Sequence, residues 1–226
     1  LKTYRQSVLK WAFEGKLTNE NVKDGELPEG WNLSTLKNLK QFSIYGPRFS
    51  SKDYSNNGIA VLRTTDISER GKVDWINSPK LELTDLLYEK YKLIKGDLLI
   101  TRTGSIGRLS IFNDTNRAIP GAFLIHYRLL ENINVWYIFH FLKSQIAQKH
   151  FSEHSFGVGR PNLNVPNIEL LQIPIAQIEE QHQIVQEIES RLSVADKMEE
   201  SIAQSLLQAE SLRQSILKKA FSGELV

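Results

Sequence analysis

The chain has 226 residues, 41% of them hydrophobic and 24% charged, with a formal net charge of +2 and no cysteine. Those values fit one sizeable globular domain with an extended element, or two small domains. They exclude disulfides, thiolate metal sites, a membrane-spanning apolar run and a histone-like charge that would hold nucleic acid with the whole surface. The lack of cysteine agrees with a reducing cytoplasm. Charge is uneven along the chain: residues 1–18 carry +3, residues 19–176 carry +3 and residues 177–226 carry −4.

Residues 1–14 read as a helix end stopped by Gly15. Residues 19–30 are polar and turn-rich, a linker. β-like runs follow at Ser43–Tyr45, Ile59–Arg63, Leu98–Arg102, Arg108–Phe112, Ala122–Leu129 and Leu170–Ile173. Two predicted helices interrupt them. One is Thr84–Tyr91, capped by Thr84 with Asp85 following. The other is Asn134–Phe151, carrying Trp136, Ile138, Phe139, Phe141, Leu142 and Ile146. Glycine and asparagine gather at Ser55–Gly58, Gly104–Gly107 and Gly157–Asn164. The pattern predicts an α+β module with mixed β structure and many loops, not a repeating βαβ fold.

From about Gln177 to Ser222 there is neither proline nor glycine. Apolar residues fall at Ile184, Ile188, Leu192, Ala195, Met198, Ile202, Leu206, Ala209, Leu212 and Ile216, in steps of three and four. Glu179 and Glu180 stand in the first turns, Lys218 and Lys219 in the last, and Gly223 suits the left-handed position after the helix. Such a helix spans roughly 65–70 Å, and one apolar stripe on a rod of that length needs a partner helix. The alternative is a helix folded back on its own domain.

The two ends repeat each other. Arg5, Gln6, Ser7, Leu9, Lys10, Ala12, Phe13, Gly15 and Leu17 recur as Arg213, Gln214, Ser215, Leu217, Lys218, Ala220, Phe221, Gly223 and Leu225, nine of eighteen positions at an offset of 208. This looks like one period of a module–helix–module–helix array. It divides the chain into the end of a spacer helix (1–18), a module (19–176) and a long spacer and dimerisation helix (177–226). The expected geometry is an antiparallel, coiled-coil-like pair of helices. Self-association of this chain through the long helix follows as an expectation.

Catalytic signatures are missing. Gly104-Ser105-Ile106-Gly107 lacks the spacing and lysine of a P-loop, and no glycine fingerprint for a dinucleotide or S-adenosylmethionine is present. His150 and His154 are spaced i, i+4 but have neither the following glutamate nor an evident third ligand. The chain reads as a binder without a catalytic centre or metal site.

Four stretches and the C-terminus together resemble the specificity (S) subunit of type I restriction–modification systems. They are Leu27-Pro28-Glu29-Gly30-Trp31; Lys95-Gly96-Asp97-Leu98-Leu99-Ile100-Thr101-Arg102-Thr103-Gly104 followed by Ile106-Gly107-Arg108; Gly157-Val158-Gly159-Arg160-Pro161-Asn162-Leu163-Asn164; and Ile173-Pro174 with Glu180-Gln181 and Ile184-Val185. The terminal Ala220-Phe221-Ser222-Gly223-Glu224-Leu225 is similar to the end of that family's conserved helix. Ile175 stands where the family often has a second proline. The resemblance implies a target recognition domain that reads one half of a split double-stranded DNA site, with the helix setting the gap between halves. It also implies docking to methyltransferase (M) and restriction (R) subunits. S-adenosylmethionine, ATP and Mg are then expected on those partners, with none bound by this chain. The chain would be either the second half of a full subunit or a natural half-subunit.

A duplex reader needs cations for phosphates and forked donors or amides for base edges. Arg48 and Lys52 flank a Tyr/Ser/Asn/Gly-rich loop, and Arg63, Thr64 and Thr65 follow an apolar run. Arg102, Thr103, Ser105 and Arg108 bracket a glycine turn, and Arg160 and Asn162 sit in the late loop. Arg48, Lys52 and Arg63 rank first as base readers, and Arg102 and Arg108 have a structural alternative through Asp97. Three rival readings remain at this point: a coiled-coil adaptor without DNA specificity, a single-strand binder using Gly104–Gly107, and a metal nuclease using His150 and His154.

Overall fold

The computed structural model describes residues 1–19, 21–23, 25–157, 159 and 161–224. Helix α1 (Lys2–Phe13) is followed by β1 (Asn32–Ser34), the short helix α2 (Leu36–Leu39) and β2 (Lys40–Tyr45). Next come β3 (Ile59–Leu62), β4 (Lys80–Leu81), α3 (Asp85–Tyr91), β5 (Leu98–Thr101), β6 (Leu109–Ile111), β7 (Ala118–Pro120) and β8 (Leu124–Leu129). The chain ends with α4 (Val135–Leu142), α5 (Gln145–Glu153), α6 (Val165–Ile168), β9 (Ile173–Ile175) and the 44-residue α7 (Ile178–Phe221).

Period-two alternation builds two stacked sheets. One is antiparallel in the order β2-β8-β5-β6. The other runs β4-β3-β7, with β3 parallel to β7. Leu98 and Ile100 of β5, with Ile125, Tyr127 and Leu129 of β8, face the helices. Leu99 and Leu124 point the opposite way, onto Ala60, Leu62 and Ala118 of the second sheet. Ile59 and Val61 then face outward toward Tyr88 and Tyr91 of α3. The four-stranded sheet is thus covered on both faces, by helices on one and by the smaller sheet on the other.

Asp97, only 1% exposed, stands immediately before β5. Arg128 grips it with Nε to Oδ1 and Nη2 to Oδ2, both at 2.7 Å. His126 Nε2 lies 2.8 Å from Oδ2, and the Ile94 backbone N–H donates to the same oxygen. Burial pushes the Asp97 pKa up, but the hydrogen bonds from Arg128 and the close approach of His126 outweigh it and hold the group below the usual carboxylate range. The sequence alone allows Arg102 or Arg108 as the partner of Asp97; the partner is Arg128, whose β8 position faces β5.

The two ends of the module meet. β1 pairs antiparallel with β9, Leu33 opposite Pro174. Phe13 packs edge-on against Tyr137 and Phe141 of α4, with ring centroids 5.1 and 5.0 Å away, and the Tyr137 hydroxyl donates to Pro174 O at 2.7 Å. Buried Gln181 accepts from Asn134 N–H and donates to Ala176 O, locking the first turn of α7 to α4. Helix α1 runs antiparallel to α7: Thr18 donates to Glu180, while Arg5 reaches Asp196 and Glu199 at 2.6 and 2.9 Å.

Three expectations change. The helix expected over 134–151 is two helices, because Ser144 accepts from Ala147 N–H and starts α5 afresh. The strand expected at Leu170–Ile173 lies at Ile173–Ile175, since Asn164 caps α6 just upstream and Leu170 is exposed. The stripe on α7 is split: Ile184, Ile188 and Ala195 are buried by the chain itself and Leu192 is half-buried against the same core. Met198, Ile202, Leu206, Leu212 and Ile216 are exposed.

Replacing Asp97 by Asn breaks a buried ion pair and is expected to cost about 3 kcal/mol at pH 7. Because the Asp97 pKa is depressed, its contribution is complete above the unfolded value of about 3.9 and fades as pH falls through the lower folded value. Urea unfolding of wild type and D97N at pH 7 and pH 3 should therefore show a smaller gap in acid.

Candidate nucleic-acid interface

Three loops converge at the ends of β3 and β7. They enclose a recess of about 480 Å³ lined by Pro47, Arg48, Phe49, Tyr54, Val61, Arg63, Thr64, Thr65 and the turn Gly121-Ala122-Phe123. Close approach of two backbones makes this possible. A Cβ on Gly46 would lie 2.1 Å from Gly121 O and 2.4 Å from Pro120 O, so no larger residue fits there without moving the loops. The Ser50–Asp53 capping box then stiffens the rim: the Ser50 hydroxyl accepts from Lys52 N–H and the Asp53 carboxylate from Ser50 N–H.

Arg48 and Lys52 are exposed, and neither side chain has a hydrogen-bond or ion-pair partner among the described residues. Arg63 is committed on one edge. Its Nε and Nη2 grip the buried Asp66 at 3.1 and 2.7 Å, and Nη2 also donates to Asn77 O. These hydrogen bonds and the Asp66 charge, partly offset by desolvation, raise the guanidinium pKa further. Nη1 has no partner among the described residues, so Arg63 offers one pre-oriented edge in place of a mobile side chain. Thr64 and Thr65 belong to the same Arg63–Asp66 turn.

A second group adjoins the first. Arg102 stacks on the Tyr45 ring at 4.3 Å and donates from Nε to Asn162 Oδ1 at 3.1 Å. Its backbone N–H donates to Phe123 O, which joins it to the recess. Thr103 bridges Asn162 and is buried, with its hydroxyl lacking a partner among the described residues; Ser105 is exposed. Arg160 lies outside the described residues. Arg108 does not join this group. It donates from Nη1 to Ile67 O at 3.2 Å, lies 3.6 Å from Glu69, and lines a separate cavity with Lys143 and Gln148.

Sequence reasoning missed Phe49, Tyr54 and Phe123, the aromatic walls of the recess; aromatics beside glycine loops were the available signal. It also missed Arg70, which reaches from a loop of the module to Asp196 and Glu199 on α7, the same carboxylates that Arg5 holds. Lys143 lies beside this network. Burial, with the nearby charges of Arg5 and Arg70, pushes its pKa down. The His150 and His154 rings stack at 4.0 Å and engage the backbone carbonyls of Asn167 and His150, and no cluster of three or more potential metal ligands occurs among the described residues. None of the helices described is long and apolar enough to cross a membrane.

The family model for the type I restriction modification DNA specificity domain matches residues 28–208. The specificity subunit of the type I restriction enzyme EcoBI from Escherichia coli is 33% identical over 249 residues, covering all of this chain and 50% of that protein. The MjaVIII specificity subunit of Methanocaldococcus jannaschii is 24% identical over 192 residues, covering 80% of this chain and 44% of its own length. Among solved structures, the HsdS subunit from Thermoanaerobacter tengcongensis superposes with a TM-score of 0.67 at 19% identity, covering 99% of this chain and 51% of that one. A chain from a study of complex assembly and conformational transition of the type I R-M system gives 0.71, also at 19% identity, with 99% and 55% covered. The chain spans about half the length of the curated relatives it matches.

Substituting Gly46 by Ala forces the Gly121 carbonyl aside and should cost about 1–3 kcal/mol. At Gly104 a Cβ would meet no atom within 4 Å, but φ is +81°. Ala there should carry a smaller, purely conformational cost of about 1 kcal/mol. Denaturant midpoints of G46A and G104A check the order.

Proposed function

Since this chain belongs to the family of type I restriction modification DNA specificity domains, we propose that it reads one half of a bipartite double-stranded DNA target. In this reading the module is the target recognition domain and α7 is the spacer that holds it at a set distance from a second such domain. The observation that carries the proposal is the family match over residues 28–208, together with a recess lined by arginine, threonine and aromatic side chains. Methyltransferase and restriction subunits are the proposed partners, working in the cytoplasm, and S-adenosylmethionine, ATP and Mg are assigned to them. This chain contributes recognition and docking, not chemistry.

Roles within the interface differ by environment. Arg48 and Lys52, ranked with Arg63 as base readers on the sequence, are exposed and without a side-chain partner among the described residues, and so suit phosphates instead. Arg63, held by Asp66 with no partner for Nη1 among the described residues, suits a base edge, where a fixed donor discriminates best. Arg102 and Asn162 support the floor of the adjoining loop. The exposed apolar residues from Met198 onward support self-association of this chain through α7, because a rod with one greasy face in water needs a mate.

DNA binding by the chain assembled with a methyltransferase subunit tests the assignment. Lys52→Ala should weaken all duplexes alike and reduce the salt slope by about one unit, whereas Arg63→Ala should cost about 1–3 kcal/mol and relax one position of the target. Unchanged target binding by the triple variant R48A/K52A/R63A would sink the site assignment. Sedimentation at high micromolar concentration should show a dimer; a strict monomer would remove self-association.

A further inference from the structure

Resting on the reading of the module as a target recognition domain, we propose that Ile76 is a further specificity-determining residue. It reads a thymine through the C5 methyl group, close to the base that Arg63 reads.

Residues 67–79 link the Arg63–Asp66 turn to β4. Within this link Ile76 is 94% exposed, the barest large apolar side chain among the described residues. The residue before it, Trp75, packs inward, edge-on to Phe112 with ring centroids 5.8 Å apart. Ile76 itself belongs to none of the apolar clusters of the module.

A single exposed isoleucine needs no explanation where its loop is loose. Here the loop is held. Asp74 Oδ1 accepts from the Ile76 N–H at 3.0 Å and the Asn77 N–H at 3.4 Å, and Oδ2 accepts from Asn77 Nδ2 at 2.8 Å. The Ser78 hydroxyl donates to Asp74 O, and Asp74 N–H donates to Asp66 O, both at 2.7 Å. The turn therefore presents Ile76 in one place, and little backbone ordering is left for binding to pay.

Position ties Ile76 to the recess. Arg63 Nη2 donates to Asn77 O at 2.7 Å, so the residue after Ile76 touches the guanidinium assigned to a base edge. Consecutive Cα atoms are about 3.8 Å apart and bases along a strand about 3.4 Å. Ile76 and Arg63 Nη1 are thus about two or three base steps from each other.

Chemistry selects the atom that is read. Among base edges the apolar group is the thymine C5 methyl, and it is displayed in the major groove, about 12 Å wide. The charges of the turn select the same groove. Asp66 and Asp74 both bond to this turn, and carboxylates are disfavoured in a narrow, strongly negative minor groove. That is where an isoleucine would instead act as a wedge between base steps.

The full chain assembled with a methyltransferase subunit is used to select bound sequences from a randomised duplex pool. In the selected duplex each thymine is replaced singly by uracil, which removes only the methyl group. One replacement, about two or three base pairs from the position that R63A relaxes, should weaken binding about fourfold, the worth of one buried methyl. I76A should lose at least that factor on the thymine duplex and be indifferent to uracil there, while R63A keeps the uracil effect. The urea midpoint of I76A should match wild type, because the fold leaves this side chain bare. If a sequence is selected but no uracil replacement couples to I76A, the thymine contact is wrong while recognition by the module stands. Equal weakening of all duplexes by I76A also overturns it, leaving Ile76 a sequence-blind wedge or a subunit contact. If no sequence is enriched, the recognition reading falls and this inference with it.

Discussion

Phe13 lies edge-on against Tyr137 and Phe141, and this three-ring contact governs how the rod meets the module. It sits where α1 ends, where α4 begins to cover the four-stranded sheet and where α7 leaves. Tyr137 extends the contact to the β1–β9 pair through Pro174, and Gln181 ties α4 to the first turn of α7. Edge-to-face rings fix angle as well as distance. The direction of a helix some 65 Å long is therefore set within its first turns, and Arg5 and Arg70 brace it again at Asp196 and Glu199.

The recess at the ends of β3 and β7 is held by different forces. It depends on backbones that nearly touch at Gly46 and Gly121. Short-range polar contacts stiffen it, the Ser50–Asp53 box and the Arg63–Asp66 clasp. Arg48 and Lys52 project from this frame without a side-chain partner among the described residues, whereas Phe49 and Tyr54 pack on the core beneath it. Asp97, Arg128 and His126 belong to the opposite regime: mutually dependent, centred on a buried charge and concerned with joining the start of β5 to β8.

Local patterns made some of this legible in the sequence and hid the rest. Forty-four helical residues announce themselves by period alone, and Thr84 and Gly15 mark helix ends by their own chemistry. The break at Ser144 was masked by apolar residues on both sides. Its hydroxyl is an N-cap signal that outweighed the continuity of the stripe. No periodicity could tell that Ile184, Ile188 and Ala195 are covered while Met198 onward is bare, because that depends on α1 folding back from far away in the chain. Arg128 was invisible as the partner of Asp97 for the same reason: strand register brings them together. Arg63 and Asp66, three residues apart, were close enough to be read as a pair, yet only the fold gives the clasp and the edge it leaves free.

Arg5 of α1 and Arg70 of a module loop share the same two carboxylates, Asp196 and Glu199, on α7. Two cations on two anions form one four-charge cluster, so loss of either arginine leaves an excess of negative charge partway along the helix, not a neutral gap. The two arginines therefore act as a single joint, and the effects of removing them do not add.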